Sequence, residues 1–296
     1  MKVRELTADD LPAVAGLCQA ELVLDPDAAA IPALLTGRPH TGLVAVGQSG
    51  IAGVGISSSG PVAGGGSQEG FLDLIVVRRA DQRQGIARRL AGELERRLAD
   101  DGCQRIRIEG HPPRFAWPGI DIHYTAAICM AEQLGYRRGS CEVNMDVDLA
   151  TAPLDTEADT ARLRAAGIEV RRAGPADDGA LQASLSADWP PNWVVECTLA
   201  LRNADGGLQL ALQGSRYVGF CAYGVNRVRE IGPVGTVPEL RGLGVGRVLL
   251  RRCLAEQRDR GLATAEIGWV GPLAYYSRHV RATIGRAFWG YQKDLG

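Results

Sequence analysis

At 296 residues the chain is about twice the usual length of a single domain, and its 46% hydrophobic and 23% charged residues are ordinary globular composition. A formal net charge of -1, with 33 basic residues scattered along the chain, excludes a groove that neutralises a phosphate backbone, and no apolar stretch approaches the roughly 18 to 20 residues that span a bilayer. Seven cysteines without CxxC spacing, and no basic-then-apolar leader ahead of them, predict reduced core thiols in a cytoplasmic protein.

In chain order, residues 3–6 read as a strand, and Thr7 opens an apolar-periodic helix that runs to Leu22. Residues 42–46 and 51–57 read as a hairpin around Gln48-Ser49-Gly50. Gly64-Gly65-Gly66 reads as a flexible connection to an apolar strand at 71–77. Ile86, Leu90, Leu94 and Leu98 then recur every four residues, which places one apolar stripe on a helix. A strand at 105–109, a helix at 120–134 ended by Gly135 and a strand at 142–149 close the first half.

Residues 151–167 are polar, contain Pro153 and a helix-like stretch at 156–166, and match nothing in the first half. From Ile168 the order restarts: a strand at 168–172, a helix at 175–186, strands at 208–213, 217–225 and 231–237, a helix, and a strand at 264–269. The expected domains are 1–150 and 168–296, joined by a linker helix at 151–167. Shifting the first half by 159 places Gln82 on Arg241, Gly85 on Gly244, Ala87 on Gly246 and Leu90 on Leu249, the mark of a tandem duplication.

The repeated element that carries chemistry is a turn between a strand and an amphipathic helix. It reads Gln82-Arg83-Gln84-Gly85-Ile86-Ala87-Arg88 in the first half and Arg241-Gly242-Leu243-Gly244-Val245-Gly246-Arg247 in the second. Four unpaired N–H groups and the positive end of the helix dipole face outward there, and small residues let an anion approach the backbone. Taken singly, either turn also reads as a plain helix cap. No Gly-Lys-Ser/Thr follows and the GxGxxG spacing is absent, which disfavours ATP and NAD.

These turns resemble the pyrophosphate-binding motif of the GCN5-related N-acetyltransferase (GNAT) family, and the likeness runs over nearly the whole chain, twice. It implies an α/β fold with a mixed sheet in each half: two tandem GNAT acyl-CoA N-acyltransferase folds. It also implies acetyl-CoA as cosubstrate with no metal. The two turns would hold the pyrophosphate, and the strand ends Ile75-Val76-Val77 and Gly235-Thr236-Val237 the pantetheine. Family members splay their fourth and fifth strands into a V. Gly232-Pro233 suits such a splay or bulge, and equally a plain edge strand.

By the same resemblance Tyr276 is the candidate acid that protonates the departing thiolate, and Glu230 at the start of the fourth strand is the candidate base. An aromatic packed under the sheet and a solvated surface carboxylate are the plainer readings of the two. Ala131 stands where the first half would carry its tyrosine. Tyr124 and Trp269 stand where the family often has asparagine. Trp189, Trp193 and Glu196, in a proline-rich stretch with Asp188, are candidate acceptor contacts, because acidic and aromatic groups suit a cationic amine.

Phe115-Ala116-Trp117 reads as a cover over the first cleft or a plug between the domains. The four histidines lack metal-ligand spacing and no GxSxG elbow occurs, so hydrolase and metalloenzyme readings gain no support. The expected partner is a small-molecule amine acceptor, without nucleic acid or membrane, for a monomer or homodimer. The competing class is a chain that binds acyl-CoA as a sensor or scaffold without turnover.

Overall fold

A computed structural model describes residues 1–61 and 68–295. The glycine run Gly64 to Gly66 therefore lies outside the described residues. Two compact units are present: unit 1 is Met1–Glu142 with Ala287–Gly296, and unit 2 is Val143–Arg286. The sequence repeat divides the chain at its linker, whereas packing also counts which strand closes which sheet.

Unit 1 runs β1 (Lys2–Glu5), α1 (Leu11–Glu21), α2 (Ile31–Thr36), β2 (Thr41–Gly47), β3 (Gly50–Pro61), β4 (Gln68–Val77), α3 (Ile86–Asp100), β5 (Arg105–Ile108), β6 (Ile120–Asp121) and α4 (Thr125–Gln133). Strand β7 (Arg137–Asp148) leads into unit 2, which continues with α5 (Glu157–Ala165), β8 (Ile168–Arg172), α6 (Asp178–Asp188), α7 (Pro191–Arg202), β9 (Gly207–Gln213), β10 (Arg216–Tyr223) and β11 (Glu230–Thr236). It ends with α8 (Val245–Asp259), β12 (Thr264–Ile267), α9 (Leu273–Val280) and β13 (Thr283–Asp294), whose last residues belong to unit 1.

Strand order in unit 1 is β1-β2-β3-β4-β5-β13, and in unit 2 it is β8-β9-β10-β11-β12-β7. Each sheet is antiparallel except at its fourth pair, β4 with β5 and β11 with β12, which run parallel because a crossover helix joins them. Each sheet is covered on both faces, so inward positions alternate between two cores. Leu90 and Leu94 of α3 pack on Leu43 and Leu72, while Val14, Ile31 and Leu35 of the opposite layer pack on Val44 and Val54. In unit 2, Leu249 and Cys253 of α8 pack on Val218 and Ile231, and Leu181 and Cys197 pack on Leu210 and Phe220.

The same capping device opens both units. Asp10 accepts from the Thr7 backbone N–H and from Arg4, and Asp177 accepts from the Gly174 backbone N–H and from Arg171. The paired guanidinium holds each carboxyl well below the ordinary aspartate range. A depressed native pKa gives stability that is present above the unfolded value, about 4, and is lost as pH falls through the native one. Asp177→Asn is therefore expected to cost about 1 kcal/mol at pH 7 by urea unfolding, a typical cap value. The gap from wild type should close in strong acid; an unchanged midpoint at pH 7 would refute the role.

Several local expectations change. The helix expected over 120–134 begins only at Thr125, because 120–121 pair with Trp289 and Phe288 of β13. The proline-rich stretch after Asp188 is a helix, α7, with Pro191 at its first position, where no N–H is required. Cys129 and Cys141 are exposed, so only five of the seven thiols lie in the core. Trp117 packs with the α1 and α2 layer and donates its indole N–H to Asp25 at 2.9 Å, so the aromatic loop is anchored inside unit 1.

Candidate active site

In unit 2, β11 and β12 are paired only at Glu230 with Glu266 and Ile231 with Ile267. Beyond that rung β11 continues to Thr236 hydrogen-bonded to β10 alone, so the two strands open into a V. Gly232 and Pro233 stand together opposite Ala222 between the Ile231–Tyr223 and Val234–Cys221 pairs, which makes them the bulge. Unit 1 repeats this: β4 and β5 are paired only at Gly70 with Ile106 and Phe71 with Arg107, and Asp73 is the bulged residue. The plain edge-strand reading of Gly232-Pro233 is thus replaced by a bulged central strand.

At the end of each V stands the glycine turn. Gly85 and Gly244 are the caps of α3 and α8 with φ of 79° and 87°, a left-handed conformation that glycine adopts without penalty. Glu230 lies as far after Phe71 as Gly244 does after Gly85, so strand rungs and turns share one register between the units. A Cβ on Gly85 would meet nothing within 4 Å. One on Gly244 would lie 3.0 Å from Nη2 of Arg162 and 3.2 Å from Nη2 of Arg247. Asp159 of α5 holds both guanidinium groups, at 3.0 Å to Arg162 and 2.7 Å to Arg247. Arg162 escaped the sequence reading because α5 has no copy in the first half.

The strand ends named from the sequence line the V. Val77 accepts at its carbonyl from the Gln82 side chain at 3.0 Å, which ties the strand to the turn. In unit 2, a Cβ on Gly246 would lie 3.2 Å from Thr236 Oγ1 and 2.9 Å from the Tyr275 hydroxyl. Tyr275 is therefore at the turn end of the V, with its hydroxyl pushed by burial to about 12.

Tyr276 sits deeper. It is buried in the α8 core, its hydroxyl has no hydrogen bond among the described residues, and burial first, then Cys221, raises its pKa further than that of Tyr275. Cys221 pairs with Val234, the residue after the bulge. The Tyr276 carbonyl receives the N–H of Ala282, which follows the left-handed Arg281; in unit 1 the carbonyl of Ala131 receives the N–H of Tyr136, which follows the left-handed Gly135. The two residues thus occupy equivalent places, with one extra residue in the second helix end.

Glu230 is partly buried one residue before Ile231, whose pair with Ile267 is the last rung before the V opens. Burial raises its carboxyl to about 7, against the Asn226 N–H that donates to it at 3.1 Å and the nearby Arg227. Glu266 beside it is tied to Asn144 at 2.8 Å and Arg227 at 3.2 Å. Asn144 of β7 also accepts the Trp269 N–H at 2.9 Å. Asn144 comes from a strand distant in sequence, so sequence spacing had no access to this contact.

Trp189 and Trp193 stack at 5.9 Å, and both meet Phe220 edge-on at 4.9 and 6.0 Å. A Cβ on Gly235 would lie 2.6 Å from the Trp189 ring, so this wall reaches β11 at the V. Glu196, one turn after Trp193 on α7, is buried at 6% exposure. The Asp188 side chain lies outside the described residues.

The corresponding face of unit 1 is filled from within. Phe71, in the place of Glu230, stacks on His111 at 3.9 Å. Asp73 pairs with Arg38 at 2.6 Å, and Arg38 also donates to the His111 carbonyl at 2.7 Å. Burial raises Asp73 to about 6 despite that partner and lowers His111 to about 4. Among the described residues no group of histidine, cysteine and carboxylate side chains forms a metal site, and no helix is long and apolar enough to cross a membrane.

The Acetyltransferase (GNAT) family model matches residues 3–116 and again 179–277, well over half of the chain. No curated protein matches. Among solved structures, the chain superposes on the glucosamine N-acetyltransferase region of a fungal multi-domain GH3 beta-N-acetylglucosaminidase with TM-score 0.79 and 20% identity, covering 99% of this chain and 38% of that one. A tandem GNAT protein from the clavulanic acid biosynthesis pathway gives 0.72 at 14% identity over 100% and 98% of the two chains. A GCN5-related N-acetyltransferase from Sphaerobacter thermophilus gives 0.67 at 19% identity over 99% and 95%. At such identities the likeness speaks for the fold, and the family match joins it to the paired V and turn: the chain belongs to the GNAT family of acetyltransferases, with the family fold built twice.

Proposed function

We propose that unit 2 moves the acetyl group of acetyl-CoA to a primary amine of a small molecule by direct attack. What supports this reading is that Glu230 stands beside the bulge where the strands part, and that Tyr276 packs in one core with Ile231 and Val234 on either side of that bulge, where unit 1 has Phe71 and Ala131. Acetyl-CoA supplies a carbonyl activated by a thiolate leaving group. The turn Arg241 to Arg247 takes the pyrophosphate through its N–H groups, with Arg162 and Arg247 as added cations. Gly235, Thr236 and Val237 take the pantetheine.

Glu230 accepts one proton from the acceptor's ammonium group, which frees the nitrogen lone pair. After the carbon–nitrogen bond forms, Tyr276 gives its proton to sulfur as the carbon–sulfur bond breaks, and recovers one from nitrogen. One proton is left on Glu230 for solvent. Unit 1, without base or tyrosine, fits the other class of function: acyl-CoA held by Ile75 to Val77 and Gln82 to Arg88 without turnover. The work of the protein is placed in the cytoplasm.

The test is calorimetry of acetyl-CoA with the full chain, beside CoA release with an amine library. Two ligands per chain are expected. Gly244→Glu puts a side chain on a left-handed residue beside two guanidinium groups, and should abolish the unit 2 site. A folded Gly244→Glu protein that binds as wild type would sink the assignment; CoA release indifferent to any amine would favour the sensor reading for the whole chain.

A further inference from the structure

We infer that Asp159 of α5 is a resident anion that competes with the pyrophosphate of CoA for Arg247, so that unit 2 holds its ligand more loosely than its turn alone would. This rests on the reading that the turn Arg241 to Arg247 takes the pyrophosphate, and it adds the residue that sets how tightly.

The two turns share one register, but their arginines are in different states. Arg88 and Arg247 stand in equivalent places, each the third residue of its helix, α3 or α8. Arg88 is exposed, and among the described residues it has neither an ion pair nor a hydrogen bond. Arg247 is half-buried and its guanidinium is engaged by Asp159: Nε donates at 3.0 Å and Nη2 at 2.7 Å, one to each carboxylate oxygen. Arg162 donates from its own Nη2 to the same carboxylate at 3.0 Å.

This two-pronged hold is the one that a guanidinium offers to phosphate, so carboxylate and phosphate are rivals for a single fork. The rivalry lies at the turn itself. A Cβ on Gly244 would come within 3.0 to 3.2 Å of the Nη2 atoms of Arg162 and Arg247, whereas one on Gly85 would meet nothing within 4 Å. An incoming pyrophosphate must draw Arg247 away from Asp159 or leave it there, and in either case it enters beside a carboxylate. That carboxylate is carried on a fixed helix: Leu163 is buried in the α8 core, and Arg252 of α8 donates to Thr160 Oγ1 at 3.3 Å. Because α5 has no copy in unit 1, the rival anion is present in one unit, the one to which transfer is assigned. A transferase must release CoA in every cycle, whereas a unit that only holds acyl-CoA has no such step.

The test is calorimetry on the full chain carrying Gly85→Glu, so that one turn is read, with acetyl-CoA and inorganic pyrophosphate as separate probes. Asp159→Asn keeps the shape and removes the charge, and both probes should then bind about two- to fivefold more tightly, the span for breaking a partly exposed ion pair. Asp159→Ala, which keeps α5 through the best helix former, should change affinity in the same direction. The gain is electrostatic and should fade as salt rises toward about 1 M. Unchanged or weaker pyrophosphate binding in the two variants, which is the result if Asp159 only positions Arg247, would overturn the inference, as would a gain that persists undiminished in high salt. A gain seen with pyrophosphate while acetyl-CoA fails to bind leaves Asp159 standing and removes the acetyl-CoA reading; no binding of either probe to any of the proteins overturns both.

Discussion

Tyr276→Phe is expected to lower kcat by about 10²- to 10⁴-fold, the usual span for losing a general acid, with acetyl-CoA affinity unchanged. The substitution removes a hydroxyl that has no hydrogen bond among the described residues, so none of them is orphaned and packing in the α8 core is retained. Tyr275→Phe is the internal control. Its hydroxyl lies at Gly246 and Thr236, at the turn end of the V, and its loss should weaken acetyl-CoA binding more than it slows the chemical step. Steady-state kinetics with calorimetry separates the two, and a kcat loss confined to Tyr275→Phe would transfer the acid role to that residue. Gly85→Glu, which blocks the unit 1 turn, should leave turnover intact; loss of turnover only there would place catalysis in unit 1.

Glu230→Gln should cost a similar factor in kcat/KM, and its signature lies in the pH profile. The carboxylate must be ionised to accept a proton, and burial has raised it to about 7. In wild type, kcat/KM should therefore rise with pH through about 7 and level off above it. In Glu230→Gln the rising limb should vanish, leaving a low rate with no inflection there. Survival of the limb in the variant would assign it to another group.

The duplication, the helices and the two turns were legible in the amino-acid order because each depends on neighbours a few residues apart. Leu90 and Leu94 face one core through helical period, and Gly85 and Gly244 mark turns that only a residue without Cβ enters freely. Glu230 and Tyr276 could be named through resemblance, and the tertiary structure supplied their surroundings: the strand rungs at Glu230 and Ile231, and the core in which Tyr276 packs with Cys221 and Val234 beside the bulge. Tertiary structure alone decided what depends on contacts between distant residues. Residues 291–294 close the sheet of unit 1, Arg162 reaches Gly244, Asn144 holds Trp269, and Glu196 is buried without a partner among the described residues. None of these has a period or a spacing, because strand pairing and burial are settled by where the chain returns.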